Sequence, residues 1–149
     1  MKLLLEKGAD PNARGLDGTP FILYLALSGF VELLVQAHDS GADLNLADKN
    51  GNTALIVAAM NRQKEMVEKL LSFGAFINAQ NKDAKTALMM AVEINSIDIA
   101  RVLMDNKANV MLHDSKKNTV ASLILDKYYR FRDEEWVNPD WEHFYNECK

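Results

Sequence analysis

The chain reads as an all-α solenoid of stacked helix–turn–helix units with β-turn fingers, and three observations carry that reading. The phrase Gly8-Ala9-Asp10 returns as Gly41-Ala42-Asp43, Gly74-Ala75-Phe76 and Lys107-Ala108-Asn109, each copy 33 residues after the last. A fixed period of this length marks a repeat protein, whose units bury their apolar faces only by stacking. An asparagine stands four residues beyond each of the first three glycines, at Asn12, Asn45 and Asn78. A threonine then opens the following unit, at Thr19, Thr53, Thr86 and Thr119, the last three also 33 apart.

The middle units are the cleanest. Thr53 can cap a helix that buries Leu55, Val57, Ala58 and Ala59, with Asn61 near its end as a residue tolerant of left-handed backbone. A second helix runs roughly over 64–73, with Met66, Val67, Leu70 and Leu71 as its stripe. Gly74 stops it by supplying positive φ. The next unit repeats the pattern with Ala87, Leu88, Met90 and Ala91, then Ile97, Ile99, Ala100, Val102, Leu103 and Met104. Helices of this length are marginal alone and persist through their neighbours.

The openings Asp17-Gly18-Thr19-Pro20-Phe21, Gly51-Asn52-Thr53-Ala54-Leu55, Lys85-Thr86-Ala87-Leu88 and Asn118-Thr119-Val120-Ala121 resemble those of the ankyrin repeat family. So do the closings Leu4-Leu5-Glu6-Lys7-Gly8-Ala9-Asp10-Pro11-Asn12 and Leu70-Leu71-Ser72-Phe73-Gly74-Ala75-Phe76-Ile77-Asn78. The resemblance covers Met1 to about Lys127. It divides the chain into a half-repeat (1–13), three full repeats (14–47, 48–80, 81–113) and a divergent repeat with a C-terminal capping helix (114–149). Two departures stand out. The family's histidine, which ties neighbouring turns together, is replaced by Ile22, Ile56, Met89 and Ser122, so those ties must be made otherwise. The first unit also looks irregular, one residue short between Asn12 and Thr19 and one long between Thr19 and Gly41.

The two ends break the pattern. Met1 to Gly8 reads as the second helix of a unit whose first helix is missing, expected either because the chain is a piece of a longer array or because the protein begins with a half-unit. Seven of the chain's aromatic residues (six Phe, four Tyr, two Trp) follow residue 127. Asn138-Pro139 makes a helix start. Trp141, Phe144, Tyr145 and Cys148 then share one helical face, expected to pack on the last repeat.

Composition bounds the chemistry. With 149 residues, 48% of them hydrophobic, and a formal net charge of −4, the chain can build a continuous core, and nucleic acid is not its expected partner. No apolar run approaches the ~18 residues of a membrane span. The apolar start Met1-Lys2-Leu3-Leu4-Leu5 is too short for a signal peptide and runs straight into repeat sequence. An intracellular location is therefore expected, or a secreted or periplasmic one if a leader has been removed. The single Cys148 excludes an internal disulfide. His38, His113 and His143 occupy unrelated phases of the repeat, and the glycines are too sparse for a phosphate loop. No catalytic, cofactor-binding or metal-ligating constellation is expected, and the protein is not expected to be an enzyme.

The resemblance implies a surface instead. Family members bind partner proteins through turn tips and the concave inner-helix surface. Carried onto this sequence, those positions include Lys49, Asn50 and Asn52, then Met60 and Asn61, then Lys82, Asp83 and Lys85. Glu93 and Ile94 follow, then Lys116 and Asn118. Lys82, Lys85 and Ile94 are expected to face solvent. The lysines make the tip edge basic, partly offset by Asp48, Asp83 and Asp114. The expected function is non-catalytic binding of another protein, with a stand-alone inhibitor that occludes a partner enzyme's active site as the alternative. A monomer is expected unless the open N-terminal face self-associates.

Overall fold

The computed structural model describes residues 8–130 and 140–148. The expected half-unit helix over residues 1–7 and the Asn138-Pro139 helix start lie outside them. Among the described residues there are eight helices and, in place of strands, isolated two-residue bridges. An inner row is formed by α1 (Phe21–Ser28), α3 (Ala54–Met60), α5 (Ala87–Glu93) and α7 (Val120–Arg130). An outer row is formed by α2 (Val31–Asp39), α4 (Lys64–Ser72) and α6 (Ile97–Asp105). Each inner helix packs on the next and on its own outer partner, while α8 (Asp140–Glu147) packs on α7.

The inner helices are seven or eight residues long in the first three units; α3 and α5 each bury five of their seven residues, and α1 four of its eight. Ala54, Ala58 and Ala59 are buried in α3, as are Ala87 and Ala91 in α5. Small side chains at these positions let neighbouring helices approach closely. The buried faces differ from expectation in one respect. Ile56 and Met89 are in the core, whereas Val57 and Met90 are half-buried, as is Leu71. The two core residues occupy the place of the missing histidine, which here has become apolar packing.

Caps and turns explain the periodicity. Thr53 Oγ accepts from Ile56 N, Thr86 Oγ from Met89 N at 3.3 Å, and Thr119 Oγ from Ser122 N at 3.3 Å. The first unit is capped by Pro20, not Thr19, and has no side-chain cap bond. The bridge Arg14–Pro20 matches the bridge Ala47–Thr53 at a shift of 33. Thr19 is therefore the counterpart of Asn52, and Leu23, not Ile22, stands at the histidine level. The apparent irregularity disappears: the period is 33 throughout, and only the threonine cap is missing.

Both helices of a unit end on a left-handed residue. After the inner helices these are Gly29, Arg62 and Asn95, with φ of 69°, 57° and 59°. Arg62, rather than Asn61, takes that conformation, since Asn61 has φ −101°. After the outer helices they are Gly41, Gly74 and Lys107, and the next N–H reaches back five residues, as in Ala108 N to Leu103 O at 3.0 Å. Lys107 has φ 64°, a conformation that costs a side-chain-bearing residue ~1 kcal/mol relative to glycine. Lys107→Gly is accordingly expected to raise the melting temperature by a few degrees. Calorimetry checks this, and an unchanged or lower value would refute the strain.

Successive units are tied together by asparagine. Asn12 Oδ1 accepts from Asp43 N at 2.7 Å, Asn45 Oδ1 from Phe76 N at 2.8 Å, and Asn78 Oδ1 from Asn109 N at 2.8 Å. Each bond joins one unit to the next. Arg14 and Gln80 add two more, donating to Ala47 O at 3.2 Å and His113 O at 2.9 Å.

At the C-terminal end, Trp141, Phe144 and Cys148 are buried and Tyr145 is half-buried. Trp141 and Phe144 meet edge to face at 5.4 Å, and Trp141 Nε1 donates to Asn95 Oδ1. Burial, with the Glu147 charge beside it, pushes the Cys148 thiol up to about 11, so it stays protonated and unreactive at neutral pH.

Candidate partner-binding surface

Each finger is a tight turn whose ends are joined by a backbone bond, Gly15 N to Thr19 O, Asp48 N to Asn52 O, Asn81 N to Lys85 O, and Asp114 N to Asn118 O, all 2.9–3.1 Å, with a second backbone bond inside each turn. The residue before the closing acceptor is left-handed in every finger: Gly18, Gly51, Ala84 and Lys117. At the base, Asp48, Asn81 and Asp114 turn a side-chain oxygen inward onto the finger's own N–H groups. Asp48 Oδ1 accepts from Asn50 N and Asn52 N, both at 2.8 Å. Asp114 does the same with Lys116 N and Asn118 N at 2.9 and 2.8 Å. The first finger has Gly15 at this position, and Asp17 takes over, accepting from Thr19 N at 3.0 Å, the Thr19 hydroxyl at 2.9 Å and the Tyr24 hydroxyl at 3.0 Å.

These bonds set the acidity of Asp114. Burial of Asp114 pushes its pKa up. The N–H and amide of Asn118, the N–H of Lys116 and the nearby Lys85 charge outweigh that, so its carboxyl titrates below the usual range. A carboxyl depressed in the folded state contributes stability above its unfolded pKa near 3.9 and loses it as pH falls through the lower folded value. Asp114→Asn is therefore expected to flatten the loss of melting temperature below pH 4. Asn81 already fills the same position one unit earlier, so the variant is expected to fold. Melting curves from pH 2 to 7 check this, and an unaltered acid limb would refute it.

Fingers two to four are stitched together. Lys82 N donates to Asn50 O at 2.9 Å and Ser115 N to Asp83 O at 2.8 Å, while Asn81 Nδ2 donates to Asn52 Oδ1 at 2.9 Å. The carbonyls engaged belong to tip residues, so the tips form a fixed row.

The positions expected to bind fall into two groups. Lys49, Asn50, Met60, Asn61, Lys82, Asp83 and Lys116 are exposed. Asn52, Lys85, Glu93, Ile94 and Asn118 are half-buried, so Lys85 and Ile94 are not the freely solvent-facing residues the sequence suggests. Asn118 Nδ2 donates to Asp114 Oδ2 at 3.0 Å, and Asn52 Nδ2 to Asp48 Oδ2 at 3.1 Å. Lys85 Nζ pairs with Glu93 at 2.7 Å, bracing the third finger against the end of α5. The last carbonyls of α5 carry two cations: Arg62 donates to Ile94 O, and Lys127 Nζ donates to Glu93 O at 2.6 Å. Cations suit a helix C-terminus. Burial nevertheless holds the Lys127 pKa below that of a free lysine, with Arg62 adding to the effect.

The structure leaves two further residues of the inner row exposed. Tyr24 and Leu27 on α1 are 41% and 50% exposed and correspond to Val57 and Met60. A register counted from Thr19 puts Ala26 at Met60's position, and Ala26 is buried. Counting from the Gly18 and Gly51 turn glycines finds Leu27 instead.

On the outer row the His38 ring stacks on the Phe73 ring at 3.9 Å, with Lys69 Nζ over the Phe73 ring at 5.4 Å. Among the described residues there is no group of three or more His, Cys, Asp or Glu placed to hold a metal ion. No described helix is long and apolar enough to cross a membrane.

Comparison with curated proteins returns no match. The family model for three copies of the ankyrin repeat matches residues 22–114, well over half the chain, and spans the inner helices α1, α3 and α5 with their outer partners. Repeats of this kind generally mediate protein–protein interaction and are typically non-catalytic. By its period, its fingers and this match, the chain belongs to the ankyrin repeat family.

Proposed function

We propose that the protein is a non-catalytic binding module that holds a partner protein against its finger tips and the concave face of its inner helices. One observation carries this reading. Framework positions repeat from unit to unit with fixed structural roles, whereas tip positions change, as Leu16, Lys49, Lys82 and Ser115 do at one level and Asp17, Asn50, Asp83 and Lys116 at the next, and several carry exposed, uncommitted side chains. A constant scaffold under a varied surface is the arrangement expected of a recognition module. The burial of Trp141 and Phe144 supports a complementary role for α8, closing the last unit rather than presenting a contact surface.

The test is affinity capture of the partner, its identification by mass spectrometry, and titration against two variants. Lys49→Ala, Met60→Asp and Lys82→Ala together are expected to weaken binding at least tenfold, which needs only ~1.4 kcal/mol, with an unchanged melting temperature. Glu65→Ala with Glu68→Ala on α4 is expected to leave binding intact. Glu65 is exposed, and Glu68 makes only an exposed pair with Lys64 at 3.7 Å. The opposite pattern would place the contact on the outer row and refute the reading.

A further inference from the structure

Leu16, Lys49, Lys82 and Ser115 occupy one structural position, each following the residue whose N–H closes its finger. Leu16 is fully exposed at 112%. On the adjoining α1, Tyr24 and Leu27 are exposed, and the Tyr24 hydroxyl is tied to the same finger through Asp17. The next two fingers carry a lysine at the tip, and the fourth carries Lys116 one residue further on. Lys49, Lys82 and Lys116 are exposed and make no side-chain ion pair or hydrogen bond with the described residues. Nearby Asp48 and Asp114 have their carboxylates turned inward onto finger N–H groups, which leaves Asp83 as the accessible acid among those three tips. Read along the row, the tips run apolar, cationic, cationic, cationic.

We propose that the partner presents an extended acidic segment with one large apolar residue at an end. The apolar residue lies on Leu16 and Tyr24, and carboxylates lie opposite Lys49, Lys82 and Lys116. This deepens the binding reading above and rests on it. The spacing follows from geometry. Packed helices lie about 8–10 Å apart, and the fingers rising from successive inner helices repeat at about that interval. An extended chain in the polyproline II conformation advances ~3.1 Å per residue with three residues per turn, so every third side chain faces the same way about 9 Å further on, and its acids fall at every third position. A helix rises only 1.5 Å per residue and would need its acids about two turns apart. The stitched finger backbones keep the cationic row at fixed spacing, so the pattern is selective rather than a diffuse attraction.

A displayed library of random 16-residue peptides, selected on the intact protein, tests this. Enriched peptides are then synthesised and titrated by fluorescence anisotropy. The expected result is an apolar residue flanked on one side by Asp or Glu at three-residue steps. Binding is expected to be at least tenfold weaker to the Lys49→Glu, Lys82→Glu, Lys116→Glu variant, whose melting temperature stays unchanged. The proposal is overturned if nothing is enriched, if the acids fall seven residues apart, or if a 16-nucleotide single-stranded DNA binds as tightly as the peptides. Enriched peptides without acidic bias that still lose binding to Met60→Asp would overturn the acidic segment while leaving the concave-face reading standing. Peptides indifferent to both sets of variants would overturn both.

Discussion

Replacing Trp141 and Phe144 by alanine is expected to be the most damaging change on the surface of the last unit, lowering stability by several kcal/mol. Phe144 is fully buried and Trp141 is 8% exposed, and the two rings pack edge to face on one side of α8. Truncating a buried large aromatic costs ~3–5 kcal/mol, part of it the cavity left behind. The two effects overlap because the rings touch, so the double variant is expected to cost less than the sum of the singles. With α8 loosened, the side of α7 that it packs on loses cover, and aggregation is expected to accompany unfolding. Denaturant melts with light scattering check both. A variant that melts like the parent but no longer binds its partner would make this stripe a contact site instead.

The second large effect is expected at Gly51. Its φ is 81°, and a Cβ built there would sit 3.0 Å from Lys82 N and 3.1 Å from Asn81 Cα. The obstruction is backbone, so it cannot rotate away. It falls on the bond from Lys82 N to Asn50 O that stitches the second finger to the third. Gly51→Ala therefore combines ~1–2 kcal/mol of left-handed strain with the loss or stretching of a hydrogen bond worth ~0.5–1.5 kcal/mol. Gly18 has nearly the same φ, 80°, but nothing within 4 Å of a built Cβ. Gly18→Ala is expected to show the strain alone. Measuring the two substitutions side by side separates conformation from crowding, and equal costs would mean that the finger stitch contributes nothing.

Much of the fold was legible because its signals are local. A glycine or lysine after each outer helix, a threonine before each inner one and an asparagine between them correspond to a left-handed residue, a cap and an inter-unit bond. The first unit misled because Thr19 stands one residue before Pro20, and proline can start a helix without offering a side-chain cap. That single displacement hid Tyr24 and Leu27 from the concave face. Helical periodicity also misjudged Val57 and Met90. An inner helix enclosed on three sides leaves only a narrow open strip, and these two residues border it. The tips were legible as positions but not as roles. That Lys85 pairs with Glu93, or that Asn52 and Asn118 turn inward, depends on residues brought close by the turn and by stacking.

Backbone hydrogen exchange of the protein with and without a saturating captured partner tests the central claim most directly. Slowed exchange is expected in the fingers around Lys49–Asn52 and Lys82–Lys85 and at the ends of α1 and α3 near Leu27 and Met60, with α2, α4 and α6 unchanged. Protection confined to the outer helices, with the fingers exchanging as in the free protein, would contradict the account.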